Sequence, residues 1–215
     1  MLLIAHRTPP TAAGCAELAA AGAGAFELDV QLVGGRLVVS HYVRLGHLPS
    51  WLEHDNWRFR LRGRAPLDRP FADVVGLVPP GCLVLLDPKL SRDADRARLT
   101  DAIIAAAPAP ERFRVSTANA DDLDRYRNAG MRTWRTIGTR DHLRDVLTNR
   151  TLADEGVSVR QWYLTEAVVR RLHEVVPMVV AWTVNDPARA RRLAGFGVDA
   201  VTTDSRAVLG ALNTP

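Results

Sequence analysis

Lysine is nearly missing from this chain: of 28 basic residues, only Lys89 is not an arginine. The formal net charge is a modest +4, and the arginines are spread along all 215 residues. Only Arg58 to Arg69 is dense enough to form a patch, and aromatic interleaving there is thin, which argues against nucleic acid as a partner. Cysteine is scarce as well. Cys15 and Cys82 fall in a helix-like and a strand-like run, and read as buried free thiols of a reducing, cytoplasmic setting rather than as a disulfide framework. No apolar run approaches the roughly 18 residues of a membrane span, and no basic region precedes the apolar start Leu2-Leu3-Ile4-Ala5. Neither a transmembrane helix nor a signal peptide is expected. Gly-x-Ser-x-Gly, His-Glu-x-x-His, Cys-x-x-Cys and a Gly-rich phosphate loop are all absent, which removes the hydrolases and nucleotide binders that depend on them.

What is present is ordinary in bulk: 47% apolar and 24% charged residues, enough for one sizeable core. The informative stretch is Phe26-Glu27-Leu28-Asp29-Val30-Gln31. Apolar and polar residues alternate with the period of a strand, so Glu27 and Asp29 project to one face. Gly34-Gly35 turns the chain, and Leu37-Val38-Val39 leads to His41. Upstream, Leu2-Leu3-Ile4-Ala5 ends on His6-Arg7. Two short strands thus end in histidine, with paired acids on a third between them.

Further along, Thr11 to Gly22 reads as a helix. From Val43 to Arg69 periodicity is lost, and this long excursion holds Trp51, Trp57, Phe59, His47 and His54. Pro70 to Val78 suits a short helix. Cys82 to Leu86 is a continuous apolar run, as a strand covered on both faces requires, and it ends in Asp87-Pro88-Lys89. Helix-like segments near 92–107, 119–129, 141–153, 165–175 and 187–195 then alternate with strand-like runs near 112–116, 132–137, 157–163, 178–184 and 198–203. Asn119, Thr165 and Asp186-Pro187 are N-terminal cap signals. Eight βα units predict a single domain over 1–215, an α/β (β/α)8 barrel with a short insertion between strands 2 and 3. Its functional residues belong on the loops after the strands. His6, Glu27, Asp29, Asp87, Lys89, Trp182, Asn185 and Asp204 all fall at that end.

Glu27, Asp29 and Asp87 are hard oxygen donors from two strands and suit Mg²⁺ or Ca²⁺ better than zinc. Lys89 is a point charge for an anion at the same place. His6 and His41 titrate in the range useful for a general acid and base. Taken singly, each has a plainer reading, as a salt-bridged pair or a surface histidine; on one barrel face they point to phosphate chemistry.

His6-Arg7, Glu27-x-Asp29 and a histidine a dozen residues on resemble the glycerophosphodiester phosphodiesterase family, TIM barrels related to phosphatidylinositol phosphodiesterases. Leu85-Leu86-Asp87-Pro88-Lys89 is similar to that family's acid-x-lysine strand. Ala181-Trp182-Thr183-Val184-Asn185-Asp186 and Gly197 to Asp204 are similar to its last two strands. The resemblance implies metal-dependent hydrolysis of a small glycerophosphodiester to glycerol phosphate and an alcohol. It implies metal at Glu27, Asp29 and Asp87, proton transfer by His6 and His41, phosphate held by Arg7 and Lys89, and Trp182 lining the pocket. The Glu-x-Asp and Asp-x-Lys pairs also resemble sphingomyelinase D-type phospholipases, which leaves a lysophospholipid as a second substrate. A non-catalytic anion-binding barrel is the third reading.

Three features depart from the family pattern. Thr8 follows Arg7 where glycine is usual. Pro9-Pro10-Thr11 shortens the segment opening the first helix. Tyr42 replaces an aspartate after the second histidine, so a partner that would orient His41 is expected to be missing. His54-Asp55 is a rival histidine, set aside because no alternating strand leads to it. His142 and His173 are expected at the surface, and Trp134 and Trp162 in the core or wall.

Overall fold

In the computed structural model, residues 1–44, 51–55, 58–62, 68–89, 95–107, 109–148 and 152–212 are described, with backbone alone for 42–44, 51–55 and 58–62. Elements in chain order are β1 (Leu2–Ala5), α1 (Ala12–Ala20), β2 (Ala25–Val33), β3 (Arg36–Val39), β4 (Tyr42–Arg44), β5 (Trp51–Asp55), β6 (Arg58–Arg62), β7 (Arg69–Pro70), α2 (Phe71–Leu77) and β8 (Leu83–Pro88). There follow α3 (Arg96–Ala106), β9 (Phe113–Thr117), α4 (Ala120–Asn128), β10 (Arg132–Ile137), α5 (Arg140–Thr148), β11 (Gly156–Arg160), α6 (Glu166–His173), β12 (Met178–Trp182), α7 (Pro187–Gly195), β13 (Ala200–Thr203) and α8 (Arg206–Leu212).

Strands β1, β13, β12, β11, β10, β9, β8 and β2 pair in that order, and β1 pairs with β2 to close the circle. Every pairing around it is parallel. This is the expected (β/α)8 barrel. The N-cap signals act as read: Asn119, Thr165 and Asp186 each accept a backbone N–H of the first helical turn.

The strand period sorts side chains into two apolar sets. Leu3, Ala5, Phe26, Leu28, Val84, Leu86, Val179, Ala181 and Val201 join the large cluster that packs the helices. Ile4, Ala25, Leu85, Trp134, Val180 and Ala200 alternate with them and form a separate cluster, the plug inside the barrel. Burying Ile4, Leu85 or Val180 there contributes roughly 1.5–3 kcal/mol each. Counting by twos from the plug toward the strand C-terminal ends gives His6, Glu27, Asp29, Asp87, Lys89, Thr136, Trp182 and Thr202. The polar mouth is therefore a continuation of the inward face.

The excursion after strand two is more ordered than its lost periodicity suggests. β2 continues past the barrel and pairs antiparallel with β3 through the two-residue turn Gly34-Gly35. Both glycines have positive φ, 57° and 77°, the conformation that a tight hairpin requires. β4, β5 and β6 form a separate antiparallel sheet of three strands. The expectations for His47 and Trp57, and for the side chains of Tyr42, Trp51, His54 and Phe59, lie outside the described residues. Trp134 is fully buried as expected, whereas Trp162 is 70% exposed. The reason is local: β11 ends at Arg160, and Gln161–Tyr163 is a 3-10 turn rather than strand.

Candidate active site

Strand register assembles the acids. Asp29 on β2 is the direct parallel partner of Asp87 on β8, with Glu27 one inward step below. One carboxylate oxygen from each of Glu27, Asp29 and Asp87 lies within 4.8 Å of the others. Burial, then the Asp29 charge, pushes Glu27 up to about 8. Burial also raises Asp87, although Lys89 opposes it. For Asp29, burial is outweighed by the Lys89 ammonium and the His41 hydrogen bond, which hold its carboxyl well below the usual range. Lys89 Nζ is 2.5 Å from Asp87 Oδ2 and 3.0 Å from Asp29 Oδ1. Burial disfavours the ammonium, but Asp87, Asp29 and Glu27 together hold it above the usual lysine range.

His6 leaves β1 hydrogen-bonded through its backbone N–H to Thr203 O, 2.9 Å. Its Nδ1 is 2.7 Å from Asp204 Oδ1, and its Nε2 is 4.0 Å from Glu27 Oε2. Burial alone would lower its pKa; Glu27 and the Asp204 hydrogen bond and charge outweigh it and raise it from 6.5 to about 9. Asp204 is fixed in turn: Asn185 Nδ2 donates to its Oδ2 at 3.1 Å, and its backbone N–H donates to Asn185 Oδ1 at 2.8 Å. Sequence patterning brought Asn185 and Asp204 to this face without giving them a role.

The β2–β3 hairpin folds His41 back to the level of Asp29, whose carbonyl accepts from Ser40 N at 2.9 Å. His41 Nδ1 donates to Asp29 Oδ2 at 2.6 Å. The expectation that His41 lacks an orienting aspartate is therefore corrected: the carboxylate comes from the facing strand, not from position 42. Nε2 of His41 faces Arg7 Nη2 at 2.8 Å. Arg7 also donates its backbone N–H to Glu27 Oε2 at 2.9 Å. Its φ is +60°, so the left-handed turn after β1 falls on Arg7 itself. Thr8, which does not share that positive φ, is buried with both its N–H and its Oγ1 donating to Glu27 O.

A cavity of about 260 Å³ opens at this end of the barrel. His6, Arg7, Glu27, His41, Asp87 and Lys89 line one side; Ser116, Thr136, Ser158, Arg160 and Trp182 line the other. The sequence-derived set is thus one constellation, and only Arg160 and the hydroxyl residues were not anticipated. Their signal is positional, since Ser158 and Arg160 are successive inward residues of β11. His142 and His173 lie elsewhere, exposed as expected.

Residues 86–208 match the sequence profile of the Glycerophosphoryl diester phosphodiesterase family, more than half of the chain. The chain belongs to this family. It is by that membership a phosphoric diester hydrolase. The matched span contains Asp87, Lys89, Trp182 and Asp204, whereas His6, Arg7, Glu27, Asp29 and His41 precede it and are joined to it by geometry. Solved structures share the fold. An Oleispira antarctica phosphodiesterase in complex with the product sn-glycerol-3-phosphate has a TM-score of 0.75 at 18% identity, covering 100% of this chain and 97% of that one. A Silicibacter pomeroyi DSS-3 protein assigned as a glycerophosphoryl diester phosphodiesterase gives 0.73 at 20% identity, covering 97% and 91%. A glycerophosphodiester phosphodiesterase from Parabacteroides distasonis gives 0.63 at 16%, covering 94% and 92%. No curated protein matches. Among the described residues no helix is long and apolar enough to cross a membrane.

Proposed function

We propose that this family member, acting as one barrel domain over residues 1–215, hydrolyses a small glycerophosphodiester to glycerol phosphate and an alcohol with a divalent metal ion and two histidines. The observation that carries this is the convergence of three carboxylates within 4.8 Å with two histidines, each tied by Nδ1 to a carboxylate, around one cavity. The donor set fits a hard cation. Three acids with oxygens within 4.8 Å of one another do not all ionise without added positive charge, and Lys89 is the one ammonium the chain places beside them. Glu27, Asp29 and Asp87 would hold Mg²⁺ or Ca²⁺, which when bound supplies charge neutralisation at a phosphoryl oxygen.

The chain's own groups account for the remainder. Lys89 and Arg7 bring positive charge to the phosphate, Arg7 by the side chain that now rests against His41. Trp182 walls the cavity. The glycerol hydroxyl beside the ester attacks phosphorus as the bond to the departing alcohol breaks. One imidazole takes the hydroxyl proton and the other protonates the alcohol; water then opens the cyclic phosphate. Each Nδ1–carboxylate bond fixes a ring so that Nε2 is the exchanging atom. Two free buried thiols, Cys15 and Cys82, suit a reducing compartment such as the cytoplasm.

Turnover of glycerophosphodiesters with Mg²⁺ or Ca²⁺, and its loss in chelator, is the test. Glu27→Ala and Asp29→Ala should abolish it and weaken calorimetric metal binding with the fold retained. His6→Ala and His41→Ala should each lose about 10²–10⁴-fold, with a combined loss well below the product because the pair acts as a unit. His54→Ala should stay within about twofold of wild type, because His6 and His41 already fill both proton-transfer roles. Wild-type turnover in either acid variant at limiting metal would sink the site assignment, and no turnover of any diester would leave a non-catalytic barrel.

A further inference from the structure

The half of the cavity opposite the carboxylates has its own chemistry. Its residues come from four consecutive strands, β9 to β12, and among the described residues lining the cavity none on this arc is acidic. Glu27 and Asp87 stand on β2 and β8. Arg160 and Trp182 are register partners at the ends of β11 and β12. The Arg160 guanidinium carbon lies 5.0 Å from the Trp182 ring centroid, so this aromatic face is covered by a cation that belongs to the protein. The indole Nε1–H of Trp182 is buried and has no hydrogen-bond partner among the described residues. Below it, Ser116 and Thr136 share a 2.8 Å hydrogen bond between hydroxyls, and Ser158 adds a third hydroxyl to the wall.

This arc is rich in donors. A buried indole N–H without an acceptor is costly, and a ligand oxygen reaching it from the cavity would relieve that cost. A trimethylammonium group offers no acceptor. It also requires an open aromatic face or a carboxylate, and here it would meet Arg160 instead. A hydroxylated alcohol supplies acceptors to the indole and the guanidinium and pairs with the serine and threonine hydroxyls.

Building on the phosphodiesterase reading, we propose that the β9–β12 arc is the subsite for the alcohol portion of the diester, and that Arg160 over Trp182 selects an uncharged polyol head group over a quaternary-ammonium one. Glycerol-type and inositol-type diesters are the favoured class.

The experiment compares kcat/KM for glycerophosphoglycerol, glycerophosphoinositol and glycerophosphocholine in Mg²⁺ or Ca²⁺. Wild type should favour each polyol over choline by about tenfold or more, the discrimination expected when a site's polar groups lose their partners. Trp182→Phe keeps the ring and removes only the N–H, and Arg160→Gln keeps a donor and removes the charge. In both, the polyol-to-choline ratio should fall at least about fivefold. Equal use of choline and polyols by wild type, or an equal loss on every substrate in the variants, overturns the proposal. Equilibrium binding of the same diesters to metal-free protein separates the two readings. A polyol preference in binding with no turnover of any diester retains the subsite and removes the hydrolase; turnover without preference does the reverse.

Discussion

Asp204 offers the sharpest test of how the site is wired. Its Oδ1 holds His6 Nδ1 at 2.7 Å, while its Oδ2 accepts from Asn185 Nδ2 at 3.1 Å. Asn185 cannot rotate to help, because its Oδ1 already accepts from Asp204 N and from Thr203 Oγ1. Asp204→Ala removes a hydrogen bond to a charged group, nominally about 1.5–3 kcal/mol. The Asp204 side chain is 42% exposed, so water replaces part of what is lost and screens the rest. About 1 kcal/mol remains, roughly three- to tenfold in kcat, against 10²–10⁴-fold for His6→Ala. Asp204→Asn should be worse than Asp204→Ala. The new amide has one oxygen for two donors, and turning its NH₂ toward His6 moves the proton of the neutral imidazole to Nε2, the atom proposed to exchange protons. A loss of ten- to a hundredfold follows on the scale set by general acid–base catalysis. Nitrogen NMR of metal-free protein above about pH 9, where the wild-type ring is neutral, should show the tautomer change. Asp204 also sets a pH window for stability. The folded pKa of His6 is raised, so the pair's contribution is full below 6.5 and fades as pH rises through about 9. The folded pKa of Asp204 is lowered, so the contribution is lost as pH falls below the ordinary value of 3.8. The stability difference between metal-free wild type and Asp204→Ala should therefore be greatest between about pH 4 and 6.5. Equal activity in Asp204→Asn and wild type, or a loss as large as that of His6→Ala, would refute the positioning role.

Two further outcomes test the fold. A Cβ on Gly156 would stand 2.6 Å from Met178 O, a backbone atom of the neighbouring strand, so Gly156→Ala should cost about 1–3 kcal/mol and lower Tm by roughly 2–12 °C; an unchanged melting curve would show that β11 and β12 are not packed as described. Cys15 and Cys82 are buried and burial pushes both thiols up, so thiol-exchange reagents should label native protein at least an order of magnitude more slowly than unfolded protein; rapid labelling of either would place it at the surface.

The barrel was legible because its signals are local. A period of two on β2, a continuous apolar run on β8 and caps at Asn119, Thr165 and Asp186 each follow from a few neighbouring residues. The inward acids and the two terminal histidines were legible for the same reason. What local pattern could not supply was anything set by register between distant segments. The link between His6 and Asp204 spans 198 residues and exists because β1 and β13 are neighbours in the closed circle. Arg160 carries no motif, and its place over Trp182 depends on the β11–β12 register. Trp162 was misplaced because an apolar run ending in Gln161-Trp162-Tyr163 looks like strand until the chain turns at Arg160.

Asp29 shows how much one long-range contact alters the reading. Taken from the sequence, it is one of a pair of carboxylates, and Tyr42 leaves His41 without support. In the folded chain Asp29 gives Oδ2 to His41, while Oδ1 faces the Lys89 ammonium at 3.0 Å beside Glu27 and Asp87. A carboxylate divides its two oxygens in this way only if both neighbours come from fixed positions. The β2–β8 register fixes Asp87, and the two-residue Gly34-Gly35 turn fixes His41. Substitution at position 42 is then tolerable because the hairpin, not the adjacent residue, determines where the imidazole lies. It follows that the three clustered acids and the His41 imidazole are not independent parts: Asp29 belongs to both, and the hairpin couples them.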